Sequence, residues 1–339
     1  MPQIAIIDDY AGNVLDYADW SQLPADCPVT VYGSHADNAD ALIARLAPYE
    51  IVCCMRERTR FDRAVLERLP NLKLLCSTAA YNAAIDVQAA HDLGIKVCGT
   101  GAPDPGLATA ELTWALILGL TRQIHVEDAN MRAARWQTTM GRDLKYRTLG
   151  VIGLGRLGTP VARVGAAFGM NVIAWSPNMT DARAAEAGAT LVTKEELLAQ
   201  SDVVSLHMVL SDRTRDLLKL DDLRRMKNDA ILVNTSRGPL INEAALLQAL
   251  KEGSIGGAAL DVYDQEPLPG DHPLRRARNT LITPHIGYAT EATYKVFIPE
   301  TLENIKAYLA GAPIRVMNPA AQTDRSQPKY LDETARPQK

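Results

Sequence analysis

Three residues have the types and the spacing to do chemistry together: Arg237, Glu266 and His285. Each follows a short apolar run and lies in its own turn-rich segment. The segments are Asn234-Thr235-Ser236-Arg237-Gly238, Asp261-Val262-Tyr263-Asp264-Gln265-Glu266-Pro267 and Thr283-Pro284-His285-Ile286-Gly287. Arg is a permanent planar cation that grips a carboxylate in bidentate fashion. His is the side chain best suited to exchange a proton near neutral pH. A carboxylate beside the imidazole orients it and favours its protonated form. With a nicotinamide alongside, these groups suit the interconversion of a 2-oxo acid and a 2-hydroxy acid. Other chemistries fit less well. Ser236 lacks the G-x-S-x-G setting of a hydrolase nucleophile. No set of His, Cys and acids has metal-ligand spacing, so no metal is expected. His35, His91, His125 and His272 read as surface or internally satisfied groups.

Loops of this kind need strands to aim them. The run Leu149–Ile152 leads into Gly153-Leu154-Gly155-Arg156-Leu157-Gly158, and a helix-compatible stretch, Thr159 to Phe168, follows. Strand, glycine turn and helix in that order form a dinucleotide-binding fingerprint, in which the helix N-terminus meets a pyrophosphate. Further strand candidates are Val172–Trp175, Val203–His207, Ala230–Asn234, Gly257–Val262 and Thr280–Thr283, six in all with the first. Before the fingerprint, strand candidates Ile4–Ile7, Val29–Tyr32, Ile51–Met55, Leu72–Cys76 and Lys96–Cys98 alternate with helical patterns at Ala39–Leu46, Arg63–Leu69 and Asp86–Leu93. Alternation predicts parallel sheets with helices on both faces. A break at 101–106 and a long apolar helix, about Ala108 to Gln123, separate the two series. The simplest organisation is an insertion. Residues 1–103 and 288–339 form one domain, and residues 104–287 form a cofactor domain between them. A cleft between two such domains is the default ligand site. Beyond about Pro319 the chain is polar and aperiodic, and is expected to dock weakly or to be disordered.

The bulk properties narrow the class. A net charge of −4 argues against nucleic acid or an anionic membrane as the main partner. No apolar run reaches membrane-spanning length. The N-terminus enters a strand-like run without the basic region and cleavage site of a signal peptide. Five cysteines, an odd number without a C-x-x-C, suggest reduced thiols and a cytoplasmic location.

On these four motifs, taken in order, the chain resembles the D-isomer-specific 2-hydroxyacid dehydrogenases, which include glyoxylate/hydroxypyruvate reductases and phosphoglycerate dehydrogenases. The resemblance runs from about Ile4 to Pro319. It implies an α/β protein with two doubly wound parallel-sheet domains, a Rossmann cofactor domain inserted into a flavodoxin-like substrate domain. It implies that Arg237 binds the substrate carboxylate and carbonyl, that His285 is the proton donor, and that Glu266 supports His285. Gly153, Gly155, Arg156, Leu157 and Gly158 would present backbone to the pyrophosphate. Ser176, at the end of the second strand, would face the adenosine ribose. His207, Val209 and Thr214 would lie near the adenosine half. Thr235, Asp261 and Gly287 complete the cofactor set, with Asp261 at the nicotinamide carboxamide. The implied partner is a small 2-oxo or 2-hydroxy acid, and the implied assembly is a homodimer formed through the cofactor domain and its crossing helix.

The chain departs from the family pattern at three places. The acid expected on the ribose is replaced by Ser176, so nothing repels a 2′-phosphate, yet no Arg follows at once to attract one. The cofactor is therefore NAD or NADP, and the balance falls toward NAD because losing a repulsion does not create a binding site. Ala79 and Tyr81 stand at glycine-like positions of the substrate-carboxylate loop, where Ala79, Ala80 and Tyr81 would meet substrate. Tyr288 replaces a small residue, and Arg56 would favour a substrate with a second acidic or polar group. Two other readings share the scaffold. A formate dehydrogenase would carry Gln where this chain has Glu266. A dinucleotide-sensing corepressor can retain the trio, but the chain lacks a regulatory extension.

Overall fold

The computed structural model describes residues 2–103 and 107–318. The expected polar tail and the turn residues 104–106 lie outside the described residues. Twelve strands are described: β1 Ile4–Ile6, β2 Val29–Val31, β3 Ile51–Cys54, β4 Leu74–Ser77, β5 Lys96–Cys98, β6 Thr148–Ile152, β7 Asn171–Trp175, β8 Thr190–Leu191, β9 Val203–Leu206, β10 Ile231–Asn234, β11 Gly257–Leu260 and β12 Thr280–Ile282. They form a five-stranded sheet of order β2-β1-β3-β4-β5 and a seven-stranded sheet of order β12-β11-β10-β9-β6-β7-β8. Every pairing between these strands is parallel. Both are doubly wound α/β sheets, as the alternation predicts. The described residues of Met1–Gly101 and Lys295–Lys339 form one compact unit, and those of Ala102–Tyr294 form the other. The helix Glu291–Leu309 is shared between them.

Side-chain alternation explains why these strands carry continuous apolar runs. In the larger sheet, Ile152, Val204, Leu206, Leu232, Ala258 and Leu260 enter one core. Their neighbours Val151, Val203, Ile231, Val233 and Ala259 enter another. Adjacent residues of a strand point to opposite faces, so a strand covered on both sides has no place for a polar residue at every second position. In the smaller sheet, Ala5, Ile7, Val52, Cys54, Leu75 and Val97 make a third core. All five cysteines are buried and unbridged.

The second sheet has one strand more than expected. Strand β8 has only two residues, and it pairs Ile173 with Thr190 and Ala174 with Leu191. It follows the short helix Asp181–Glu186 and extends the sheet beyond β7. The strand order reverses between β6 and β9, and doubly wound sheets bind ligands at such a switch point. The helix Leu107–Thr121 packs one side into a core of the larger sheet through Trp114, Leu116, Ile117 and Leu120, while Leu107 is exposed.

Candidate active site

The glycine fingerprint joins β6 to the helix Gly158–Ala167 at the switch point. Gly153 has φ +94°, and a Cβ there would lie 2.6 Å from the His207 carbonyl oxygen. A Cβ on Gly158 would fall 2.1 Å from the Gly153 carbonyl oxygen. Both positions are closed to any side chain by the protein itself. Gly155 differs, because nothing lies within 4 Å of where its Cβ would be. That open space borders the helix start, where the N–H groups of Arg156, Leu157 and Gly158 have no acceptor among the described residues. Unused donors and a positive helix end fit a pyrophosphate, and a Cβ at Gly155 would fill the space it needs. The residues present therefore fit a dinucleotide.

On the adenosine side, Ser176 sits half-buried just past β7, and its carbonyl accepts the Met179 N–H. His207 is buried just past β9, with Nε2 at 2.8 Å from Ser205 Oγ. Burial lowers its pKa to about 4. Val209 is exposed at the rim of the following loop, and the Thr214 hydroxyl closes that loop onto the Val209 carbonyl. Thr235 Oγ1 lies 2.8 Å from Thr113 Oγ1 on the helix Leu107–Thr121, so its hydroxyl is engaged within the protein.

Arg237, Glu266 and His285 project from the same edge of the sheet. They follow β10, β11 and β12, whose ends Asn234, Leu260 and Ile282 are in register. Asn234 builds the Arg237 turn: its Nδ2 donates to the Arg237 carbonyl at 2.8 Å, and its Oδ1 accepts the Ser236 N–H at 3.0 Å. The Arg237 side chain is half-buried and donates to the Ser236 carbonyl at 2.7 Å. Gly238 then presses on the next loop, because a Cβ there would come within 2.1 Å of the Tyr263 carbonyl carbon. Only glycine lets the Arg237 turn pack this closely against the loop that carries Glu266.

The Glu266 carboxylate is held at both oxygens. Oε1 accepts the Tyr263 N–H at 2.9 Å, and Oε2 lies 2.5 Å from His285 Nδ1. The contact through Nδ1 fixes how the His285 imidazole is turned. His285 has φ +54°, a left-handed conformation that costs a non-glycine residue on the order of 1 kcal/mol. Asp261 holds the loop in this shape. Its Oδ1 accepts the Thr283 hydroxyl at 2.6 Å and the Ile286 N–H at 2.9 Å, and its Oδ2 accepts the Gly287 N–H at 2.9 Å. Burial raises the Asp261 pKa, opposed by those same donors. Thr109 grips the other side of Gly287, donating to its carbonyl at 3.0 Å. Tyr288 is buried, and its ring stands edge-on to His285 with centroids 6.0 Å apart.

The remaining expected contacts belong to the smaller unit. Ala79 is buried at φ +72°, and its N–H donates to Thr100 Oγ1 at 2.7 Å. It is a structural bend, and the N–H groups of Ala80 and Tyr81, like those of Asn82 and Ala83, have no acceptor among the described residues. The Tyr81 side chain is 67% exposed. The Arg56 N–H donates to Thr78 Oγ1 at 3.0 Å, and Asn82 Nδ2 donates to the Arg56 carbonyl at 2.5 Å, so Arg56 is fastened to the same loop. Sequence reasoning did not single out Asn82, Thr100, Thr109 or Tyr263. The Tyr263 hydroxyl lies within donating distance of the carbonyls that end β11 and follow β12, Leu260 at 3.1 Å and Thr283 at 2.8 Å.

Residues 114–287 match the family model for the NAD binding domain of D-isomer specific 2-hydroxyacid dehydrogenases. The chain is 38% identical to a glyoxylate reductase of Aeropyrum pernix over 82% of each chain. It is similar to the crystal structure of a phosphoglycerate oxidoreductase from Vibrio cholerae, with 35% identity and a TM-score of 0.86 over 92% of this chain and 100% of that one. It is also similar to a D-lactate dehydrogenase from Aquifex aeolicus solved with NAD and lactic acid, at 26% identity and a TM-score of 0.73 over 94% and 100% of the two chains.

Proposed function

We propose, for a chain that belongs to the D-isomer specific 2-hydroxyacid dehydrogenase family, that Arg237, Glu266 and His285 carry a reversible reduction of a small 2-oxo acid at the expense of NADH or NADPH. The observation that carries this assignment is the 2.5 Å contact between His285 Nδ1 and Glu266 Oε2 on the sheet edge that also bears Arg237. A bound reduced nicotinamide supplies the hydride for the carbonyl carbon. Arg237 grips the carboxylate and polarises the carbonyl, acting where negative charge develops. His285 Nε2 gives its proton to the carbonyl oxygen as the alcohol forms. Glu266 keeps the imidazole oriented and balances its charge. The backbone N–H groups of Ala80 and Tyr81 hold the substrate carboxylate, and Arg56 favours substrates with a further polar or acidic group. Gly155, Arg156 and Leu157 receive the pyrophosphate. Ser176 leaves both cofactors admissible, with NAD preferred.

Glyoxylate and hydroxypyruvate are the substrates we infer first, since a glyoxylate reductase is among the similar proteins. The test is loss of reduced-cofactor absorbance with a panel of glyoxylate, hydroxypyruvate, pyruvate and oxaloacetate, each with NADH and NADPH. Turnover with none of them overturns the assignment. An unchanged ranking in Arg56→Ala removes Arg56 from it. A cytoplasmic location is supported by the five unbridged thiols. A homodimer is supported by apolar side chains exposed in and after the helix Ile124–Arg132: Ile124, Met131, Trp136, Met140 and Tyr146.

A further inference from the structure

We propose that Arg58, carried over the ring of Tyr10, is a specificity-determining residue that reads the far end of the substrate and favours a 2-oxo acid bearing a second anionic group. The proposal rests on the reading of the chain as a 2-oxo acid reductase whose Ala80 and Tyr81 N–H groups take the first carboxylate. Three non-glycine residues at one edge of the five-stranded sheet have left-handed backbones: Asp8 at φ +62°, Arg56 at φ +46° and Ala79 at φ +72°. Each stands two residues past the end of its strand, β1, β3 or β4, and these strands are neighbours. Such conformations cost free energy and persist where the surroundings over-determine them, as at ligand clamps. Here the constraints come from side chains of the edge itself. The turn 55–59 is pinned on two sides. The Arg56 N–H donates to Thr78 Oγ1 at 3.0 Å, toward the Ala80 loop, and the Thr59 hydroxyl donates to Asp8 Oδ2 at 2.6 Å. Asp8 is buried, and its Oδ1 accepts the Tyr10 hydroxyl at 3.1 Å and lies 3.1 Å from His35 Nδ1. One carboxylate therefore fixes both the turn and the Tyr10 ring. Arg58 sits between the two pins, with its guanidinium carbon 5.0 Å from the centre of that ring. The Arg56 Nε lies 3.4 Å from the carboxylate of its neighbour Glu57, which offsets part of its charge. Arg58 adds a second cation to the same turn, steadied by an aromatic face. Its guanidinium is a rigid fork of N–H donors that matches a carboxylate.

Pyruvate and oxaloacetate test this, because they differ by one carboxylate at the far carbon. In the unaltered enzyme, kcat/KM for oxaloacetate is expected to exceed that for pyruvate by at least about tenfold. Arg58→Gln is expected to lower kcat/KM for oxaloacetate by about 10- to 100-fold, mostly through KM, the range for losing charge-assisted hydrogen bonds that bind without reacting. For pyruvate the loss is expected to stay below about threefold, since no far carboxylate is there to be lost. Tyr10→Leu removes the support but leaves the cation. Its loss on oxaloacetate is expected to be smaller, about three- to tenfold, and again selective. Absence of a preference for oxaloacetate in the unaltered enzyme overturns this proposal alone. So does a loss in Arg58→Gln that is equal on the two substrates or absent on oxaloacetate. If Arg58→Gln does not fold, Tyr10→Leu decides: a loss selective for oxaloacetate supports the proposal, and an equal or absent loss overturns it. No turnover with either substrate, nor with glyoxylate or hydroxypyruvate, overturns the reading of the chain as a 2-oxo acid reductase, and this proposal with it.

Discussion

His285 and His207 are two imidazoles at strand ends of one sheet, and their surroundings give them opposite tasks. His285 has a carboxylate on Nδ1 and a half-buried position, which suits proton exchange. Replacing it by Ala should lower kcat by on the order of 10²-fold or more, the range for loss of a general acid, and steady-state kinetics on the preferred oxo acid check this. His207 has the Ser205 hydroxyl beside it and burial that holds its pKa near 4. Its folded pKa lies below the unfolded value of about 6.5. Between those two values the unfolded chain binds more protons than the folded one, so stability is full above about pH 6.5 and is lost as the pH falls toward 4. The expected loss between pH 7 and pH 5 is about 2 kcal/mol, and His207→Gln should flatten it in urea titrations at the two pH values. The proposed trio of Arg237, Glu266 and His285 is legible in the sequence because each member lies within a few residues of a strand end. The partners of Asp261 are not, because Thr283, Ile286 and Gly287 reach it only through the register of β11 with β12.

At the level of elements, the turn between β6 and its helix contains glycines that answer to different masters. Gly158 is closed by the Gly153 carbonyl, whereas Gly155 faces open space. Gly158→Ala should therefore destabilise the protein by about 1–3 kcal/mol, as overpacking does. Gly155→Ala should leave the urea midpoint unchanged and raise the NADH Kd, since only the ligand would meet the new methyl group. Equal effects of the two substitutions on stability would count against a backbone cradle at Gly155. The pattern G-x-G-x-x-G reveals the turn, but not which glycine serves the fold and which the ligand. That division depends on where the His207 and Gly153 carbonyls lie. Ala79 is a similar case. Its place in a carboxylate loop suggests a substrate contact, and only the Thr100 hydroxyl across the sheet shows that its N–H is already used.

The whole molecule consists of two parallel-sheet units, and their alternating patterns made both sheets readable from sequence. What pattern could not locate is the exposed apolar surface. In the apolar helix Leu107–Thr121, Trp114, Leu116, Ile117 and Leu120 are buried, and most of the large exposed apolar side chains of this region lie beyond it, with Trp136 at 79% and Met140 at 83%. A particle of twice the chain mass by light scattering is the expected outcome, and Trp136→Lys with Met140→Lys should return it to monomer, because two charges would face their own copies across a two-fold interface. A monomer in the unaltered protein would leave that surface without the proposed role. The two-residue strand β8 was missed because nothing so short leaves a periodic trace. Its brevity has a value of its own in a crowded cell. A long parallel sheet is a template on which stray chains can grow, and its hazard lies at its borders. This sheet ends in two residues on one side and three on the other, too few rungs for an intruding strand to hold.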